Sequence, residues 1–412
     1  MGDASERLPR AAWAAIAAGV AVRFANWITR FGDELLLNDS WYYSGQARQL
    51  ATGVWFRELF HDQPGAEHGP LTSVLMAPVS HGEHYQDWQR LVTVAAGCVT
   101  VWLIARLALR VAGGTVAVVA SGVAAVYPNL WMNDGLVMSE SISMMLVALA
   151  VLLALRSADD RRLRWLCATG AALGLGMLAR SELAVLVPLV GLWLLFTGRR
   201  PRQHWRGVLA AMAVAAAVLL PWVAFNLARF ENPVLLTTND GTTWLGSNCP
   251  ETYWGDTVGG WTIECVVSDP DYRPDEEPSV RSVRQRGLAV DFISDHPGSL
   301  PKVVLARLGR TLDLYGHDGL VAQDVGEERA RWAVWSGIAA FLVLAPLAAF
   351  GALGVGRRVR ALLLAPMVVV LVTTVLFYGA HRIRSSAEPT LVVLAAVGAV
   401  ALWRRLRHTV SA

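Results

Sequence analysis

The chain is 412 residues long, 54% hydrophobic and 17% charged, with a formal net charge of +3 and a mean hydropathy of +0.40. Its apolar residues come in long blocks with the charges confined to the gaps, which excludes an ordinary soluble domain and marks a membrane solvent, where buried charge is expensive. The small net charge and the lack of a basic-aromatic stripe exclude nucleic acid as a partner class.

Ten apolar segments read as spans of an all-α polytopic membrane protein, near residues 11–31, 90–109, 115–132, 141–155, 165–180, 182–197, 207–228, 332–354, 361–379 and 389–403. Arg23 and Asn26 interrupt the far end of the first block and no small-residue cleavage site follows, so a retained span is expected rather than a signal peptide. Every second gap is rich in arginine: Arg110; Arg156, Arg161, Arg162 and Arg164; Arg199, Arg200, Arg202 and Arg206; Arg357, Arg358 and Arg360; Arg404, Arg405 and Arg407. Positive loops stay in the cytoplasm, so both termini are expected inside a plasma-membrane protein. Residues 32–89 and 229–331 then face outward, and both are too long to be simple connectors. The chain divides into a membrane-embedded catalytic half, 1–228, an extracytoplasmic region, 229–331, and C-terminal membrane helices, 332–412.

In the first outer loop, Tyr43, Ala47, Leu50 and Val54 recur at helical spacing, edged by Trp41, Tyr42, Trp55 and Phe56. This predicts a helix lying in the membrane interface and beginning at Asp39. Asp39 can cap that helix or act as a base, and the two readings are compatible because a cap fixes the carboxylate. Glu67 and His68 follow before a second apolar stretch. His61, Asp62, His68, His81, Glu83 and His84 make the loop rich in potential metal ligands, in no named metal spacing. No cofactor is assigned; a divalent metal ion stays open.

In the second outer region, Cys249 and Cys265 are expected to form a disulfide if the insert is external, whereas their spacing does not suit zinc. Trp244, Tyr253, Trp254 and Trp261 can stack on a sugar or form the core of that small loop. Two later stretches, 281–297 and 300–315, carry apolar residues at helical spacing and are expected to pack as lid-like helices.

The order N-D-S-W-Y-Y-x-x-x-A-x-x-L-A-x-G, then G-P-L-T-S-V-L-M-A-P, resembles the GT-C superfamily of membrane glycosyltransferases. It is most similar to the group of lipid A aminoarabinose transferases and protein O-mannosyltransferase relatives. M-S-E-S, A-L-G-L-G-M-L-A-R-S-E, L-P-W-V-A-F-N-L-A-R-F-E-N-P and H-R-I-R-S-S-A-E-P agree in order and spacing. The resemblance implies sugar transfer, with inversion, from a polyprenyl-phosphate donor to a glycan, lipid or protein acceptor among membrane lipids. It also implies that Asp39 is the catalytic acid. Relatives often carry Asp-Glu where this chain has Asp39-Ser40, which makes Asp33 and Glu34 candidates for the second acid. Glu67 and His68 stand where some relatives have Glu-Lys, so His68 would face the lipid phosphate. Arg382, Arg384, Glu140 and Tyr42 complete the expected substrate-binding set. For Arg382 and Arg384 interfacial anchoring is the plain alternative, for Glu140 the positive end of its helix, and for Asp134 a solvated loop. Arg180 and Glu182 read simply as a pair at a tight outer turn. A transporter or flippase, or a non-catalytic assembly protein for envelope glycans, is the rival function; few acids in the spans and no P-loop speak against transport.

Overall fold

The computed structural model describes residues 7–36, 38–197, 201–271, 273 and 275–410, with the side chains of 201–204, 408 and 410 left aside. Arg199 and Arg200 therefore lie outside the described residues. In chain order the helices are α1 (Arg10–Ile28), α2 (Asp39–Ala51), α3 (Leu71–Met76), α4 (Tyr85–Ala112), α5 (Gly114–Val126), α6 (Pro128–Trp131), α7 (Glu140–Asp159), α8 (Leu163–Ala179), α9 (Leu186–Thr197) and α10 (Pro201–Leu227). The second outer region holds α11 (Asp240–Ser247), α12 (Pro250–Tyr253), α13 (Glu264–Val267), α14 (Pro278–Asp295), α15 (Leu300–Thr311) and α16 (His317–Gly326). The chain closes with α17 (Arg331–Leu353), α18 (Arg357–Leu376), α19 (His381–Arg384) and α20 (Glu388–Val410). The described residues contain no β-strand, only an isolated bridge between Arg57 and Pro64.

Among the described residues, seven helical stretches are long and apolar enough to cross a membrane: α1, α4, α7, α10 from Trp205, α17, α18, and His381–Arg407. The other three expected spans correspond to the shorter helices Gly114–Val126, Leu163–Ala179 and Ser181–Thr197. A multi-pass membrane protein follows from this set.

Close helix packing depends on small residues, because lipid supplies no hydrophobic drive between helices. A Cβ on Gly398 would stand 2.0 Å from the Leu347 carbonyl oxygen, and one on Gly351 2.0 Å from that of Leu394, so α17 and α20 meet backbone to backbone. Gly170 does the same for α8 against Ala211 of α10. The contiguous core runs through α1, α4, α5, α7, α8, α9, α10, α17, α18 and α20.

Two buried charges correct simple readings of the sequence. Asp134, expected as a solvated acid, is 1% exposed and pairs with Arg23 of α1 at 2.7 Å. Burial raises the Asp134 pKa, and the Arg23 guanidinium opposes that rise. The two residues that interrupt the first apolar block thus tie α1 to the turn before α7, Arg23 through the Asp134 carboxylate and Asn26 through the Asp134 carbonyl at 2.6 Å.

The helices expected over 281–297 and 300–315 form as α14 and α15. Only part of their packing is lid-like: α14 lies on α11, whereas α15 packs against α18 and α19 and so braces the bundle. Cys249 and Cys265 are joined by a disulfide across a Cα–Cα distance of 6.1 Å. Beside it Tyr253 is buried, donating to Asn248 Oδ1 at 3.0 Å, which makes it loop core, while Trp254 is 50% exposed.

Candidate active site

Helix α2 begins at Asp39, as its pattern predicts, but the cap is the preceding residue. Asn38 Oδ1 accepts from the Ser40 N–H at 2.8 Å. An amide oxygen satisfies the helix start, and the Asp39 carboxylate is released to face the protein. The buried stripe Tyr43 and Ala47 seats α2 on Met76 and Val137.

The loop after α2 is folded back by its own backbone and by one arginine. Gly65 N–H donates to Phe56 O at 2.8 Å, and Arg229 holds the Phe56 and Gly65 carbonyls at 2.5 and 2.8 Å. The Tyr42 hydroxyl accepts from the Glu67 N–H at 2.9 Å, so Tyr42 positions the Glu67-His68 step. Gly69 is required there for close approach, since a Cβ would lie 2.4 Å from the Leu178 carbonyl oxygen. His68 is then clamped between aromatic rings, stacked on Tyr43 at 4.9 Å and edge-on to Tyr42 at 5.2 Å.

Into this frame the chain brings Arg382 from α19. Its Nη2 lies 2.7 Å from Asp39 Oδ2, its Nε 3.1 Å from Glu140 Oε1 and its Nη1 2.9 Å from Glu327 Oε1. One guanidinium thus holds three carboxylates from three distant segments, and its planar fork of donors suits that task better than an ammonium could. The network extends on both sides. Arg180 binds Glu140 at 2.8 Å and also Glu182, while Arg329 binds Glu327, Asp324 and Asn133.

Asp39 is the most open member of the three. Its side chain is 27% exposed, against 11% for Glu327 and none for Glu140. Burial works against its charge, but the Arg382 guanidinium and then His68 outweigh burial and hold the carboxyl below the usual range. His68 Nε2 lies 3.4 Å from Asp39 Oδ1, too long for a well-formed hydrogen bond but near enough for charge attraction. Burial lowers the His68 pKa, yet the Asp39 carboxylate wins and raises it above the ordinary histidine value.

Farther out along the same loop, Glu67 and Glu58 form an acidic rim that α14 overlooks through Arg281. Burial, followed by the charge of Glu67, pushes Glu58 up to about 7, and its Oε1 is buried without a hydrogen-bond partner. Glu58 escaped the sequence reading because an acid in a polar loop carries no signal by itself.

Five expected site residues therefore gather at one place: Asp39, Glu67, His68, Glu140 and Arg382, with Tyr42 positioning them. Arg384 goes elsewhere. It is 1% exposed, binds Asp313 at 2.9 Å and Glu388 at 2.7 Å, and lies over the Phe341 ring. His381 turns the same way, binding Asp324 at 2.7 Å and also Asp313, and Tyr127 donates to Glu388 at 2.9 Å. Asp33 and Glu34 are exposed and join neither group. Glu327 and Arg329 were missed; the run Glu327-Glu328-Arg329 just before an apolar span was the available signal.

The metal-ligand types of the first loop do not assemble. Arg57 takes Asp62, and His84 lies 3.5 Å from Asp87. Among the described residues the one ligand-like group is Cys249, Glu251 and Cys265, and two of its three sulfur and oxygen donors are spent in a disulfide, which offers no thiolate.

Residues 70–225, under half of the chain, match the family described as dolichyl-phosphate-mannose-protein mannosyltransferase. The fold is similar to that of the Archaeoglobus fulgidus oligosaccharyltransferase solved with Zn and sulfate, with a TM-score of 0.60 at 15% identity over 97% of this chain and 50% of the other. It is also similar to AglB from the same organism, solved with an inhibitory peptide and a dolichol-phosphate (TM-score 0.59, 16% identity, 98% and 52% of the two chains). ArnT from Cupriavidus metallidurans, bound to undecaprenyl phosphate, aligns over 95% of this chain and 78% of its own at 16% identity, with a TM-score of 0.47 too low to weigh. The chain spans about half the length of the oligosaccharyltransferases it matches. No curated protein sequence matches it. The likeness covers nearly the whole chain, and with the matched stretch 70–225 it gives this protein the fold of the GT-C membrane glycosyltransferases that its motifs resemble.

Proposed function

We propose that this protein transfers a sugar from a polyprenyl-phosphate donor to an acceptor hydroxyl, at the face of the membrane where Asp39 lies. That face is the extracytoplasmic one if the arginine-rich ends of the spans are cytoplasmic, as in a plasma-membrane protein with both termini inside. The observation that carries the reading is the pairing of the half-open Asp39 carboxylate with the rigidly held Arg382, beside His68.

The acceptor oxygen attacks the anomeric carbon as the bond from that carbon to the donor phosphate breaks. The acceptor proton passes to Asp39, and the bond electrons leave with the polyprenyl phosphate. Arg382 and protonated His68 are placed to take the growing phosphate charge. A carboxylate held by Arg382 is a weak base, so the donor has a second effect. As its phosphate draws on Arg382, Asp39 loses part of its counter-charge and its basicity rises. Deprotonating power then appears only with donor in place. Glu140 and Glu327 keep Arg382 in position during the exchange.

Glu58 and Glu67 on the outer rim would meet the acceptor, a glycan, lipid or protein. No step requires a metal ion from these residues, since the cation that the acids already surround is Arg382.

Asp39→Asn keeps the size of the side chain and removes the base. In a membrane assay with a radiolabelled polyprenyl-phosphate sugar, transfer should fall by roughly 10²–10⁴-fold, the usual span for general base catalysis, while the yield of folded protein is unchanged. Wild-type transfer by this variant would overturn the role of Asp39.

A further inference from the structure

Arg310 closes the last turn of α15, and its side chain is 2% exposed. Its Nε and Nη1 atoms are buried without a hydrogen-bond partner, and among the described residues no carboxylate is paired with it. Leaving an arginine so placed is costly, because a buried donor that loses water without gaining an acceptor forfeits its hydration. Arg307, buried on the same helix and also without an acid, donates to the Val375 and Ser247 carbonyls and to Asn248 Oδ1 instead. Arg310 has the Tyr315 phenol as its electrostatic neighbour.

Glycines make the space around it. A Cβ at Gly316 would lie 2.6 Å from Arg310 Nη1, one at Gly319 3.1 Å from Nη2, and one at Gly260 3.2 Å from Cζ. Gly316 and Gly319 also belong to the start of α16, a ten-residue helix that Gly316 caps in the left-handed conformation, at φ 70°. The N–H groups of the first helical turn have no intrahelical acceptor, and the helix dipole adds partial positive charge there. The exposed Asp318, in that same turn, draws on part of this charge from the solvent side. A buried guanidinium fork therefore lies directly against the glycines that open a helix N-terminus.

The geometry points to an oxyanion site at Arg310 and the start of α16, one that takes a phosphate or phosphate ester. Guanidinium and backbone N–H donors together suit the several acceptor oxygens of that group. The surroundings favour a lipid headgroup as its source. Leu314 and Tyr315 in the adjoining turn are 68% and 45% exposed, and Trp335 on the first turns of α17 is 41% exposed beside His317. Exposed aromatic and apolar side chains at the start of a span are the usual furniture of the headgroup level. None of these residues touches Asp39, His68 or Arg382, so the site is separate from the proposed chemistry.

The test uses the full chain in detergent, with thermal unfolding followed as ligand is added. The probes are phosphatidylglycerol, inorganic phosphate, and monoolein as a lipid without phosphate. Phosphatidylglycerol should raise the melting temperature in a concentration-dependent way and monoolein should not. Arg310→Gln should weaken the phosphatidylglycerol response roughly ten- to a hundredfold, the range for losing a charge-assisted contact. Inorganic phosphate that competes with the lipid would support the same oxyanion site filled from solution. Gly319→Val keeps the arginine but sets a side chain against its Nη2 at the start of α16, so it decides the matter if Arg310→Gln does not fold. A wild-type response to neither phosphate probe, or an unaltered response in Gly319→Val, would overturn the site.

Discussion

The segment from His381 to Glu388 supplies two charge networks that differ in one respect. Arg382 reaches one way, to Asp39, Glu140 and Glu327, in a cluster that opens at Asp39. His381, Arg384 and Glu388 reach the other way, to Asp313, Asp324 and Tyr127, where the side chains are about 5% exposed or less, and Arg329 joins the two sides by binding both Asp324 and Glu327. A closed network of buried pairs satisfies itself and can hold a chain segment in place, but it has no side from which a substrate could arrive. An open network keeps one carboxylate accessible and fixes the cation beside it. The difference teaches that buried charge in this bundle divides into scaffold and site by access, not by the number of charges. It also means that the scaffold determines the position of Arg382 from the residues on either side of it.

Three experiments can break that division. The largest effect is expected from Arg384→Leu, which leaves Asp313 and Glu388 without their guanidinium. Breaking a buried pair from one side costs about 3–5 kcal/mol, a sizeable part of the stability of a typical domain. Loss of folded protein on size-exclusion chromatography is the expected readout; a stable, fully active variant would show that the closed network holds nothing.

Arg382→Gln should behave in the opposite sense. Expression should survive better than in Arg384→Leu, since Asp39 can turn to water, while sugar transfer falls by about 10²-fold or more through loss of phosphate stabilisation. Equal damage to folding in both variants would erase the distinction between the two networks.

The smallest effect concerns pH. The folded pKa of His68 lies above its ordinary value of 6.5 because of Asp39. A raised pKa means that the protonated form favours the folded state. Its contribution is complete below pH 6.5 and is lost as pH rises through the folded value. The melting temperature of the wild type should therefore fall more steeply above pH 6.5 than that of His68→Gln. The difference should correspond to about 0.5–1 kcal/mol, given the partial exposure of the pair. Parallel pH curves for the two proteins would show that His68 carries no charge beside Asp39.

Much of the site was legible in the sequence. Asp39 stood at a helix start and Arg382 at the end of a span, but it was the family resemblance that set them apart, together with Glu67, His68 and Glu140, as site residues. The helix of residues 39–51 was readable because one face repeats every three to four residues. What escaped was pairing. Arg382 and Arg384 look alike in H-R-I-R, yet in a short helix residues two apart point in different directions, so one meets Asp39 and the other is buried over Phe341. Asp134 looked solvated because the arginine that neutralises it lies in the first apolar block. Glu327 could not be chosen among the many acids of a long loop until α16 and α17 set it against Arg382.

Membrane residence and the all-helical class were therefore determined by the sequence itself, since both depend on where apolar residues run together and where charges do not, a local property of the chain. The tertiary structure alone decided which charges meet, that Asn38 rather than Asp39 caps its helix, and that Arg382 faces the opening while Arg384 does not. The physical reason is that an ion pair at under 3 Å is a relation between segments hundreds of residues apart, set by how the helices pack. No periodicity within either segment records it.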